Sequence, residues 1–173
     1  MVSVVLSHVI GTVSLLLIFV SVVTYASLTY SILGSQVVDY NLQKISEHVV
    51  SETINMVSLC SISSDDEILV KVLEVPKDIG GNQYTISMAN SGDGLAITSN
   101  QISSNNILGV APLPWSHGRS VVPFNGTDPG INKARVIPKL SVGSSAKGLV
   151  LWCVKKSGVL TFGLGVKNAT QGG

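Results

Sequence analysis

The first ionic side chain in this sequence is Asp39, and only His8 and the chain terminus can carry charge before it. A helix that crosses a bilayer needs about 20 apolar residues, so this run exceeds what one crossing requires. Val, Leu and Ile occupy every side of a helical wheel from Met1 to Gly34, which excludes a soluble amphipathic helix and demands lipid or other helices around it. A secretory signal would begin with a basic region, carry a short apolar core and end at a small-residue cleavage site. Nothing basic precedes Val2 and the apolar run is too long, so two readings stay open. Either a basic leader has been removed, or the first residues insert directly as an anchor.

No proline occurs before Pro76, and Gly34 is the only glycine between Gly11 and Gly80, so the backbone can stay helical well beyond a membrane. After Gly34 the pattern turns amphipathic. Val38, Leu42, Ile45, Val49, Met56 and Leu59 recur mostly at three- or four-residue steps, with Asp39, Lys44, Glu47 and Glu52 between them. The expectation is one helix from Val2 to about Leu59, roughly 86 Å long at 1.5 Å per residue, whose second half packs on something outside the membrane. Within the apolar half, Ser3, Ser7 and Gly11 lie four apart on one stripe, a spacing that lets helix backbones approach closely; Ser27, Ser31 and Ser35 repeat it. Leu15, Leu16, Ile18 and Phe19 are the bulky partners expected to pack against neighbouring helices. The competing reading of the stripe is that its hydroxyls merely bond back to their own helix.

From Glu67 the period changes to alternation. Strands are expected over Ile68–Val75, Tyr84–Met88, Leu95–Ser99, Ile107–Val110, Ser120–Phe124, Ala134–Val142, Gly148–Lys155 and Val159–Val166, separated by Gly, Pro, Asn and Ser. Short strands at this spacing indicate a β-sandwich or a partly open barrel, so the fold class is α+β: a long N-terminal helix over 1–60 and a β-rich head over 61–173.

Charge separates along the chain. Up to Asp93 there are three lysines against nine acids, and from Gly94 onward eight bases against one acid, although the net charge is only +1. That near-neutral total excludes a nucleic-acid binder working through overall basicity. With 45% hydrophobic and 12% charged residues, the composition is also far from that of disordered chains.

Cys60 and Cys153 are the only cysteines. In an oxidising compartment a bridge between them would close a loop of about 94 residues, worth about 4–5 kcal/mol in the loop-entropy description; two buried thiols are the alternative. Asn125-Gly126-Thr127 and Asn168-Ala169-Thr170 make Asn125 and Asn168 glycosylation acceptors if the domain is exported.

Catalytic patterns are weak. His8, His48 and His117 lack metal-ligand spacing, and the Gly92-Asp93-Gly94 and Gly163-Leu164-Gly165 runs read as a turn and a close-packed strand. Ser144-Ser145-Ala146-Lys147 fits S-x-x-K and Lys156-Ser157-Gly158 is near K-T-G, but the first lies in a turn rather than at a helix start. The acidic cluster Asp65-Asp66-Glu67 lacks the alternating ligands and glycine of a calcium loop. No enzyme, no cofactor and no metal site is expected.

A charge-free N-terminal helix with Ser3, Ser7 and Gly11, running without proline into an amphipathic extension near Leu59 and then a β-rich head, resembles archaeal type IV pilin-like proteins, the group that includes archaellar filament subunits. The run from Val75-Pro76-Lys77 through Ile79-Gly80-Gly81 to Tyr84-Thr85-Ile86 is similar to the approach to the head in that group. Counted from Met1 as the mature start, the sequence departs from bacterial pilins in having Val5 where they carry a glutamate, and no basic leader or cleavage site is present in it. The resemblance implies a structural subunit of a cell-surface filament, membrane-inserted before assembly. Its implied partners are copies of itself in a helical homopolymer, the pilus assembly machinery and a prepilin peptidase, with no nucleic acid. The alternative is a single-pass membrane anchor carrying an extracytoplasmic β-domain that serves as a filament accessory or binding protein.

Overall fold

The computed structural model describes residues 2–64, 66–91, 94–102, 108–115, 120–127, 130–131 and 134–167. Its first element is a single helix, α1, Val2–Ile62, with no interruption at Gly34. The expected continuous helix is therefore present and runs three residues beyond Leu59. Contacts divide the chain into two compact units, Met1–Val37 and Val38–Gly173, so the amphipathic half of the helix belongs with the head rather than with the apolar half.

The reason lies in what residues 38–62 bury. Leu42, Ile45, Val49, Met56, Val57 and Cys60 enter the main core, with Ser46 and Thr53 buried on the same face. Full burial of such apolar side chains contributes about 1.5–3 kcal/mol each. Leu59 departs from the expectation. It is 60% exposed, because the buried stripe continues through Thr53, Met56 and Cys60, and Leu59 lies about 100° round the helix from Cys60. No basic residue occupies the last turn of α1, but Lys155 Nζ donates to the carbonyls of Ser61 at 3.1 Å and Ser63 at 3.0 Å. A strand thus supplies the cation that the helix C-terminus favours.

Among the described residues nine strands follow: β1 (Ile68–Val72), β2 (Tyr84–Ser91), β3 (Gly94–Gln101), β4 (Leu108–Pro112), β5 (Val121–Pro123), β6 (Val136–Lys139), β7 (Ser141–Gly143), β8 (Leu149–Lys156) and β9 (Val159–Lys167). They form two sheets. One has the order β4-β3-β2-β7 and the other β1-β8-β9-β5, with β6 also pairing β9. The parallel β5 (Val121↔Leu160) and the antiparallel β6 (Val136↔Lys167) pair with different stretches of β9. The main core combines Tyr84, Ile86, Leu95 and Ile97 of one sheet with Leu149, Leu151, Phe162 and Leu164 of the other, and with α1.

The expected strand over Ala134–Val142 divides in two. Pro138 lies in β6 opposite Gly165 at the sheet's margin, where a missing N–H is tolerated, and the chain bends at Leu140 to enter the other sheet as β7. β8 is buried from Leu149 to Val154 without alternation. Leu149, Leu151 and Cys153 face the main core, whereas Val150, Trp152 and Val154 form a second core with Ile131 and Val136, so both faces are covered. Trp152 donates its indole N–H to the Leu164 carbonyl at 2.8 Å, and a Cβ at Gly163 would stand 2.7 Å from the indole. Glycine at 163 makes room for that ring.

Candidate functional site

The apolar unit presents the surface that most needs explaining. From Val9 to Val37 every large hydrophobic side chain is exposed, including Leu15 at 72%, Ile18 at 64% and Phe19 at 66%, with Leu16 alongside them. The helix is long and apolar enough to cross a membrane. Gly11 lies open, with nothing within 4 Å of an added Cβ, while the side chains of Ser3 and Ser7 lie outside the described residues. The hydroxyls of Thr12, Ser21, Thr24 and Thr29 donate to the carbonyls of His8, Leu17, Val20 and Tyr25 at 2.7–2.9 Å, and Ser35 donates to Ile32 at 2.8 Å. At these five positions the helix satisfies its own hydroxyls, so there it offers a neighbour mainly hydrocarbon.

Within the head unit, α1 is seated by a small polar cluster. Ser46 Oγ lies 2.8 Å from Ser99 Oγ and donates to the Gly109 carbonyl at 3.0 Å, and Ser99 Oγ lies 2.8 Å from the Leu42 carbonyl. The Val110 N–H donates to Gln43 Oε1 at 3.0 Å. Ser46 and Ser99 are fully buried, yet all their polar atoms find partners. The backbones meet because residue 109 has no side chain: a Cβ there would stand 2.3 Å from the Leu42 carbonyl oxygen. Sequence reasoning passed over Ser46, Ser99 and Gly109, since the only signal is small residues at otherwise apolar interior positions.

Cys60 and Cys153 are brought together at the end of this seat. Both are fully buried free thiols of the main core, near enough for Cys60 to influence Cys153, so the expected bridge is not formed in the structure. Burial in an apolar core pushes the Cys153 thiol well above its ordinary value, and Cys60 beside it adds to the shift, which keeps the group protonated.

The remaining candidates have structural explanations. Ser144 is buried in a turn, donates to the Lys77 carbonyl at 2.6 Å and accepts the Tyr84 N–H at 3.2 Å, so its hydroxyl is committed. Ser157 and Gly158, at φ of 51° and 78°, make the turn of the β8–β9 hairpin. Asn125 is exposed after β5, its Oδ1 accepting the Thr127 N–H at 3.1 Å and hydroxyl at 2.6 Å; Asn168 lies outside the described residues. An open groove of about 460 Å³ runs beside Lys44, His48, Pro76 and Asp78. Asp66, Glu67, Glu74, Arg135 and Lys139 are exposed and form no ion pair with another described residue; the ion pairs among the described residues are Lys44–Glu47 and Lys71–Glu52. Asp65, Arg119 and Lys133 lie outside the described residues. No protein-family model, curated protein or solved structure matches the chain.

Proposed function

We propose that the chain is a structural subunit of an extracellular, archaeal type IV pilus-like filament that polymerises through its N-terminal helix. One observation supports this reading above the others: over residues 9–37 the helix exposes every large hydrophobic side chain and carries no ionic one, for a length beyond what a bilayer crossing requires. Such a surface is stable in lipid before assembly and among its own copies afterwards, and transfer from one to the other needs no charged side chain to be stripped of water. Prepilin peptidase and pilus assembly machinery are the partners this reading requires. Asn125, exposed and within an acceptor triplet, is where an exported head would carry a glycan.

A second reading has its own observation. Five hydroxyls bonded back to their own helix need no partner from another chain, which suits a permanent single-pass anchor with an extracytoplasmic binding or accessory head. Electron microscopy of material sheared from cells making the chain distinguishes the two. Filaments that contain the chain as their repeating subunit support polymerisation. A chain retained with the membrane, and missing from every sheared filament, supports the anchor.

A further inference from the structure

The seat of the helix end holds two groups that the filament reading does not use. Cys60, two residues before α1 ends, and Cys153, in the middle of β8, are 93 positions apart in the sequence, yet both are buried in the main core where the helix end meets β8. Around them the same junction is fastened by Lys155 on the Ser61 and Ser63 carbonyls and by the Asp66 N–H on the Lys155 carbonyl at 2.7 Å. Neither sulfur is accessible in the folded head. Thiol–disulfide exchange needs a thiolate in line with the disulfide; neither buried sulfur is accessible until the junction opens, and burial also holds the Cys153 thiol protonated.

We propose that Cys60 and Cys153 form a redox latch that is set while the helix end docks on β8 and is sealed once docking is complete. The chemistry is thiol–disulfide exchange with a small or protein disulfide as oxidant. One cysteine thiolate attacks the oxidant's disulfide, forming a mixed disulfide and releasing one thiol. The other cysteine then attacks the mixed disulfide, forming the Cys60–Cys153 bond and releasing the oxidant's second thiol. Two electrons pass to the oxidant, and the two protons lost by the cysteines end on its two thiols. The structure shows the reduced form. A head folded under oxidising conditions keeps the bond; one folded under reducing conditions keeps both thiols, even after the surroundings change. The inference stands on the head unit alone and does not rest on the filament reading.

The test uses the full chain in detergent micelles, with oxidised glutathione as oxidant, acid quenching, alkylation and non-reducing peptide mapping. One arm refolds urea-unfolded, reduced chain in the presence of the oxidant; the other adds the same oxidant to chain already folded in the reduced form. The first arm should yield the Cys60–Cys153 peptide pair within one chain, with little glutathione adduct. The second should form it at least ~100-fold more slowly, because exchange waits for local opening. Cys60→Ala should give a glutathione adduct at Cys153 when refolded with oxidant and only slow adduct formation when already folded, which separates loss of the pair from loss of the fold. Adducts, interchain bonds or free thiols in the first arm would overturn the latch. Equal rates in the two arms would overturn the seal.

Discussion

Gly109→Ala tests the way the helix is held in the head unit. The added methyl would lie 2.3 Å from the Leu42 carbonyl oxygen, 2.4 Å from its carbon and 2.6 Å from the Gln43 nitrogen. Carbon contacts are comfortable at about 3.5 Å, so α1 and β4 must separate by about 1 Å. Overpacking alone costs about 1–3 kcal/mol. The same separation lengthens the Ser46–Gly109, Ser99–Leu42 and Val110–Gln43 bonds, now 2.8–3.0 Å, and each is worth about 1 kcal/mol net, more where a buried hydroxyl is left unpaired. A total loss of about 3–5 kcal/mol follows, a shift of roughly 2 M in the urea midpoint at a slope of about 2 kcal/mol per M. The assay is urea unfolding of the full chain in micelles, followed by fluorescence of the fully buried Trp152. Gly143→Ala is the control: nothing lies within 4 Å of its Cβ, and it should stay within about 1 kcal/mol of the parent. If Gly109→Ala also stays within 1 kcal/mol, the close approach of helix and strand is not what seats α1.

Gly11→Leu should lower filament yield while leaving membrane insertion intact, since a bulky side chain holds helices apart yet makes the segment more apolar; unchanged yield removes Gly11 from the packing surface. Burial, and secondarily the Asp78 carboxylate, pushes the Tyr84 phenol up to about 12 from 10.0. A group whose pKa is raised by folding stabilises the fold below its unfolded value and loses that contribution as pH rises through the folded one. Urea midpoints should therefore fall between about pH 10 and 12, and Tyr84→Phe should flatten that stretch. Arg135→Glu with Lys139→Glu should slow assembly by disturbing head-to-head register, and Glu67→Lys with Glu74→Lys in the same chain should restore it; slowing without rescue leaves the pairing between copies without support.

The long helix was legible because its signals are local: absence of proline, an unbroken apolar wheel and then a three-to-four step. The apolar run in β8 likewise announced a strand, though its coverage on both faces emerged only from the structure. What the sequence could not convey were choices made by distant partners. Ala134–Val142 reads as one strand, and only the competition between β9 and β2 for its two ends splits it at Leu140. Leu59 fits the apolar spacing as well as Cys60 does, and the position of β8 decides which one is buried. The polar seat of Ser46, Ser99 and Gly109 joins residues more than fifty positions apart, so no window along the chain displays it.

The integration of residues 38–62 into the head's core bears on how such a chain can be divided or recombined. A cut after residue 60, where helix gives way to strands, would remove Leu42, Ile45, Val49 and Met56 and leave the main core open along one whole side. A cut near Val38 would keep that wall and discard only the hydrocarbon-coated stretch. The transferable module is therefore a head with its own stem, and any exchange of N-terminal segments between such chains would have to splice within a helix rather than at its end.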